Sequence, residues 1–229
     1  MKIIRLIVSC ILLFSPGRGA YASDSVDLTI SATLEAGACT PTLDKGGEAN
    51  FGEIPLGNLS RTQTNQLGSR YLTLTISCTE SMRVGWSVTD NKKESLQPLL
   101  IKNPKYNGED LNDGGFEFGL GRTAGGTKIG AYAIYVDKEN ILADGAKLKM
   151  IYKTNSGSYW MTSGAGELGN DSAWIYAGEI WGGTDAVVVS GKTFVWPLKI
   201  TAAIQGTDTL AVTDRATLDG VTTISVVYL

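Results

Sequence analysis

The sequence predicts an all-β chain organised as a single domain, and three observations carry that prediction. The 229 residues include 28 glycines and hold no sustained apolar pattern of helical period, which leaves little room for helix. Threonine, valine and isoleucine recur in short alternating runs that suit pleated, half-buried segments. Setting an export signal aside leaves two cysteines, Cys39 and Cys78. In an oxidising compartment these are expected to join, with two buried thiols as the alternative. The loop they would close, of about 40 residues, stabilises by about 4 kcal/mol in the chain-entropy account.

Residues 1–22 read as a signal peptide. Lys2 and Arg5 form a basic head, Leu6 to Phe14 an apolar core, and Ala20-Tyr21-Ala22 a small-residue cleavage site. The apolar run is too short for a stable membrane anchor, so an exported chain starting at Ser23 is expected, in transit through a periplasm. Its removal takes Lys2, Arg5 and Arg18 from 20 basic residues facing 23 acidic ones. The resulting net charge of about −6 argues against nucleic acid or an anionic membrane as partner.

The first element, Val26 to Leu34, alternates Val26, Leu28, Ile30, Ala32 and Leu34 with polar residues, the period-2 pattern of a strand with one buried face. Such a strand must pair with a sheet edge. That edge belongs either to its own closed sandwich or to a neighbouring copy. Thr40-Pro41 and Asp44 to Gly47 read as a turn region, Ala49 to Ile54 as a short strand, and Asn58 to Ser69 as loop. Tyr71 to Cys78 is a half-buried strand, followed by a second at Val84 to Val88. Asp90 to Gly115 reads mostly as loop, with a short strand at Leu99 to Ile101. Phe116 to Leu120 and Lys128 to Val136 follow; the latter is apolar on both faces, which suits a central strand. Lys147 to Tyr152 is another strand. Thr193 to Ile204 is a long one that Pro197 should bend or confine to an edge. In the last, Val221 to Leu229, the residues Thr222, Ile224, Val226 and Tyr228 share a face. No residues remain for a further strand, and no helix is expected.

The chemistry that is missing excludes whole classes of function. With no histidine, neither Ser-His-Asp nor Cys-His catalysis can be assembled, nor a His-based metal site. No spacing singles out a carboxylate pair. No enzyme, cofactor or metal is expected. Asp110 to Gly115 partly echoes a calcium loop but lacks its spacing and distal Glu, so a polar turn is expected. Gly-rich 122–128 lacks the residue order of a phosphate loop and reads as a hairpin turn.

The motifs at the two ends together resemble the subunits of bacterial chaperone–usher fimbriae, the pilins. These motifs are the apolar strand ahead of Cys39, Phe51-Gly52, Thr73 to Cys78, Ile129 to Val136, Trp196 to Ile200, and Gly220 to Leu229 with Tyr228 next to last. The resemblance implies an incomplete immunoglobulin-like β-sandwich over residues 35–229, preceded by a donor-strand extension at 23–34. Val26, Leu28, Ile30, Ala32 and Leu34 would fill the groove of another subunit. The groove would lie beside Thr222, Ile224, Val226 and Tyr228. Partners implied are a periplasmic chaperone, an outer-membrane usher and other pilin subunits, ending in a fimbrium on the cell surface, with adhesion as a minor-subunit role. Ala32 and Ala216 stand where the family usually has glycine. The middle of the chain is about 40 residues longer than a typical stalk pilin, as the resemblance has it.

That longer middle carries Tyr159, Trp160, Trp174, Tyr176 and Trp181 on Gly-rich text. Exposed, these rings could stack on sugar faces, so a host glycan is a candidate ligand. They would also serve an alternative reading of the chain as a monomeric periplasmic or surface carbohydrate-binding module. Packed on inserted strands, they would be core.

Overall fold

The computed structural model of the chain describes residues 30–32, 37–153, 160–162, 164–170, 173–181, 185–212 and 215–229. The chain divides into two units, Met1–Glu35 and Ala36–Leu229. Of the first, only residues 30–32 are described; they form no strand, and Ile30 is exposed. The other donor positions, Val26, Leu28 and Leu34, lie outside the described residues.

The second unit is all-β apart from short 3-10 turns and one helical turn, α1 (Thr207–Leu210). Its strands are β1 (Cys39–Leu43), β2 (Asn65–Met82), β3 (Val84–Asp90), β4 (Phe118–Gly119), β5 (Gly130–Val136) and β6 (Ile141–Ala143). They continue as β7 (Ala146–Lys153), β8 (Met161–Thr162), β9 (Trp174–Trp181), β10 (Asp185–Val188), β11 (Gly191–Ile204) and β12 (Thr222–Tyr228). Every ladder among them is antiparallel.

One layer is β1-β2-β11 with β5 and β6 beyond β11; the other is β12-β3-β9-β7. The β6–β7 hairpin joins them, so a single hydrogen-bonded path runs β1-β2-β11-β6-β7-β9-β3-β12. The result is a barrel-like sandwich, nearly closed, whose path begins at β1 and ends at β12. The disulfide forms as the cysteine count predicts: Cys39 and Cys78 face each other across the β1–β2 ladder with their sulfurs 2.04 Å apart.

The core lies between the layers. Trp86 of β3 and Trp196 of β11, both fully buried, meet edge to face with centroids 5.5 Å apart, a contact worth about 1 kcal/mol beyond its buried area. Leu72, Leu74 and Ile76 of β2 alternate inward and pack on the same cluster with Phe194 and Leu198, as period 2 requires.

Several elements differ from the sequence expectation. Pro41 sits inside β1 and not in a turn; β1 is an edge strand, where a missing N–H is tolerated. Residues 49–54 form no strand. Strand β2 begins at Asn65, inside the expected loop, with an irregularity near Gly68, whose φ is +77°. Leu99–Ile101 reduces to an isolated bridge, Ile101 with Leu111.

Pro197 neither bends β11 out of the sheet nor marks an edge, because β11 lies between β2 and β5/β6. The proline falls where the β6 ladder (Phe194, Val195) gives way to the β5 ladder (Leu198 onward). Its carbonyl accepts from Asp137 N–H. In an antiparallel strand the N–H and C=O of one residue point the same way, so the missing donor faces this break and leaves no acceptor stranded.

β5 is flanked by β11 and the short β4, a central strand as its two apolar faces suggest, and it is buried on both of them. Its inner face joins the main core. Its outer face, with Ala131, Ala133 and Tyr135, is roofed by the segment carrying Leu96, Leu99, Ile101, Leu111 and Phe116. The buried Glu117 pins this roof by accepting from Leu99 N–H.

Candidate functional site: the seam between the first and last strands

Strand β12 forms because Thr222, Ile224 and Val226 alternate with the exposed Thr223 and Ser225, before Val227 packs on the opposite face against Ile151, Tyr176 and Val188; its full length pairs with β3, Thr222 opposite Asp90 through Tyr228 opposite Val84. The inward face is the one expected. Ile224 and Val226 are partly buried against the main core. Among the described residues β12 has no strand on its other side, and β1 pairs only with β2. These two free edges face each other along a seam. Some of their Cα atoms come within 8 Å, yet no ladder joins them.

The seam is tied at one end. The Tyr228 hydroxyl accepts a hydrogen bond from Cys39 N–H at 3.0 Å. Thr79 N–H donates to Ala38 C=O, so the Cys39/Cys78 pair is of the non-hydrogen-bonded kind. The N–H of Cys39 therefore points off β2, toward the seam. Leu229 N–H donates to Arg83 C=O on the β3 side.

Toward the other end the seam widens into a cleft of about 740 Å³. One wall is the segment following β1, with Phe51, Ile54 and Leu59; the other is the segment leading into β12, with Val212 and Leu218; Ile129, Ile204 and Leu210 contribute apolar side chains between them. Glu48, Glu53 and Arg215 also line it. Phe51 is held by the Arg70 guanidinium, 4.7 Å above its ring, while Arg70 Nε donates to Asn50 C=O. On the opposite wall Asp219 is fixed by an ion pair with Lys92 and by its N–H donating to Leu120 C=O. Tyr132 and Thr222 share a hydrogen bond between their hydroxyls at 2.5 Å, and burial pushes the Tyr132 phenol well up from its ordinary value. Both walls are thus positioned, and what they offer is apolar surface and unpaired strand edges.

Sequence reasoning found the β12 face and missed the cleft. Phe51 fell in an expected strand and Leu59 in an expected loop, so neither reads as lining. The available signal was the set of apolar residues (Leu56, Leu59, Leu210, Val212, Leu218) stranded in otherwise polar connections.

The aromatic set is not brought together as one surface. Tyr176 is fully buried, with Trp160 packed edge-on against it at 5.0 Å and Lys153 5.7 Å over the Trp160 ring. Burial raises the Tyr176 phenol. Trp174 is about a third exposed. Tyr159 and the Trp181 side chain lie outside the described residues. The calcium-like stretch spends its carboxylates on the backbone: Asp110 accepts from Asn103 N–H, and Asp113 from Gly115 N–H. Residues 122–128 form a tight hairpin closed by Thr123 N–H donating to Thr127 C=O. Among the described residues no group of three or more Cys, Asp or Glu is placed to hold a metal.

Three comparisons with known proteins bear on this arrangement. The family model described as "Protein of unknown function (DUF1120)" matches residues 28–133. The uncharacterized protein YhcF of Escherichia coli (strain K12) is 30% identical over 247 aligned residues, covering 100% of both chains. The protein GltF of the same organism is 30% identical over 248, covering 96% of this chain and 95% of its own. No solved structure gives a significant match. The full-length similarity to YhcF, with the family match reaching from residue 28 into β5, places this chain in the DUF1120 family.

Proposed function

We propose that the chain is a structural subunit of a surface fibre, an incomplete immunoglobulin-like sandwich of the pilin type, assembled by exchange of a strand between copies. The observation that carries the reading is the seam itself: two free edges, β1 and β12, facing each other over partly buried Ile224 and Val226 and opening into an apolar cleft. The occupant is the segment Val26 to Leu34 of a second copy. At about 3.3 Å per residue its nine residues span about 30 Å, against about 23 Å for the seven of β12. The strand therefore covers β12 and reaches into the cleft. Burying Val26, Leu28, Ile30 and Leu34 at about 1.5–3 kcal/mol each supplies about 6–12 kcal/mol before the cost of association. Ladder hydrogen bonds on the free edges add to it.

In this reading residues 1–22 direct export, and the Cys39–Cys78 disulfide forms in the periplasm. A periplasmic chaperone covers the seam in transit, an outer-membrane usher handles assembly, and the fibre stands on the cell surface. Adhesion is a role for a minor or tip-proximal copy.

The test is assembly of the exported chain. The full chain is expected to give multimers that persist in mild detergent and to lose them when Leu28→Asp places a charge on the donor face or when residues 23–34 are deleted. A full chain that stays monomeric once freed of any chaperone, or multimers indifferent to both changes, would overturn the proposal.

A further inference from the structure

We propose that Tyr228 is a latch on the seam: its phenol holds the β1 and β12 edges together while no strand lies between them, and it must release Cys39 for a strand to enter. The inference rests on the strand-acceptor reading and adds to it a regulated step. A strand hydrogen-bonded to both edges needs them about 9.6 Å apart, twice the spacing of neighbouring strands. Here some Cα atoms of β1 and β12 lie within 8 Å of each other, so at those positions the seam must open by at least about 1.6 Å to admit a strand of that spacing.

The contact across the closed end is the 3.0 Å hydrogen bond from Cys39 N–H to the Tyr228 hydroxyl. Cys39 is anchored, since the disulfide ties it to Cys78 in the long strand β2. Tyr228 is anchored too, at the end of the ladder with β3 and opposite Val84. The bond therefore joins two fixed edges and not two loose ends. The N–H it occupies points off β2 and is one that an incoming strand would use. Only one of the two acceptors can have it. Half exposed, the Tyr228 ring has solvent on one side and can swing outward without displacing core.

This assigns the hydroxyl, and not only the ring, a task. The phenol takes an edge donor that would otherwise be left to water, holds the two edges together, and gives way to a partner that offers a carbonyl and a whole ladder. Its strength, that of one net hydrogen bond, sets a modest barrier and not a block.

The experiment measures association of a fluorescent peptide of residues 23–35 with the exported mature chain kept unassembled by Leu28→Asp, with Tyr228 intact (here the wild type) and as Tyr228→Phe, together with amide hydrogen exchange at Cys39. Wild type is expected to take the peptide, and Tyr228→Phe to take it about five-fold faster, the factor for a hydrogen bond of about 1 kcal/mol. In free wild type the Cys39 amide is expected to be protected, and in free Tyr228→Phe to exchange faster. Equal or slower uptake by the variant, with wild type binding normally, overturns the latch and leaves the acceptor reading standing. If the variant fails to fold, a freely exchanging Cys39 amide in the wild-type protein overturns the latch by itself. A wild type that never takes the peptide overturns both.

Discussion

Removing the disulfide, as Cys39→Ser with Cys78→Ser, tests how the seam's weaker edge is held. β1 has five residues, and of these only Cys39 and Leu43 pack against the core, both partly buried. Its side-chain burial is therefore worth a few kcal/mol at most. The bridge closes a loop of 39 residues' separation, and in the chain-entropy account that contributes about 4 kcal/mol. Loss of the bridge thus removes about as much as β1 gains by packing, so β1 should detach and not merely loosen. Denaturant unfolding of oxidised and double-serine proteins measures the difference. The expected loss is about 4 kcal/mol, or a fall in Tm of about 8–16 °C for a domain of this size. Hydrogen exchange should show added loss of protection at the β1 partners Thr75 and Ser77 while the β2–β11 ladder stays protected. A loss below about 1 kcal/mol, with β1 still protected, would refute the reasoning, since the edge would then stand without its staple.

Two further outcomes follow from the packing. A Cβ at Gly130 would lie 2.2 Å from Ala203 O and 2.8 Å from Ile204 Cα, so Gly130→Ala must push β5 off β11 and should cost about 2–3 kcal/mol in thermal unfolding; a cost under 0.5 would contradict the close approach. Burial holds the Glu117 carboxyl above the ordinary carboxylate value. Its charged form is therefore the destabilised one, and the penalty is absent below the unfolded-state value and complete only above the raised folded one. Wild type should gain stability relative to Glu117→Gln as pH falls from 7 toward 4.5, read from paired denaturation curves; a difference independent of pH would contradict the burial argument.

What the sequence made legible was whatever depends on period and on pairing chemistry. The alternation in Tyr71 to Cys78 and Val221 to Leu229, and the two cysteines, led directly to β2, β12 and the disulfide. What depends on long-range context was not legible. Pro197 reads locally as an edge signal, yet its missing donor is harmless because β6 and β5 happen to leave a break opposite it. The two apolar faces of β5 do mark a central strand, but what covers the outer one is residues 96–116, whose own pattern looked like loop. The β6–β7 hairpin was missed although its signal was present: Asp144-Gly145, both at positive φ, between Ile141-Leu142 and Leu148, is the sequence of a tight two-residue hairpin. The cleft was invisible for the same reason as the roof over β5. Its lining comes from connections far apart in the chain, and no local rule brings Phe51 to Leu218.

The central claim is that the seam beside β12 takes Val26 to Leu34 from another copy. It is tested most directly by placing one cysteine on each side, Ile30→Cys and Val226→Cys, in the exported chain and oxidising it gently. The account predicts bonds between chains, seen as a ladder of dimers and higher species on a non-reducing gel that collapses on reduction. A cross-link that forms efficiently within single chains, leaving monomers alone, would show the segment closing its own barrel and would contradict the account.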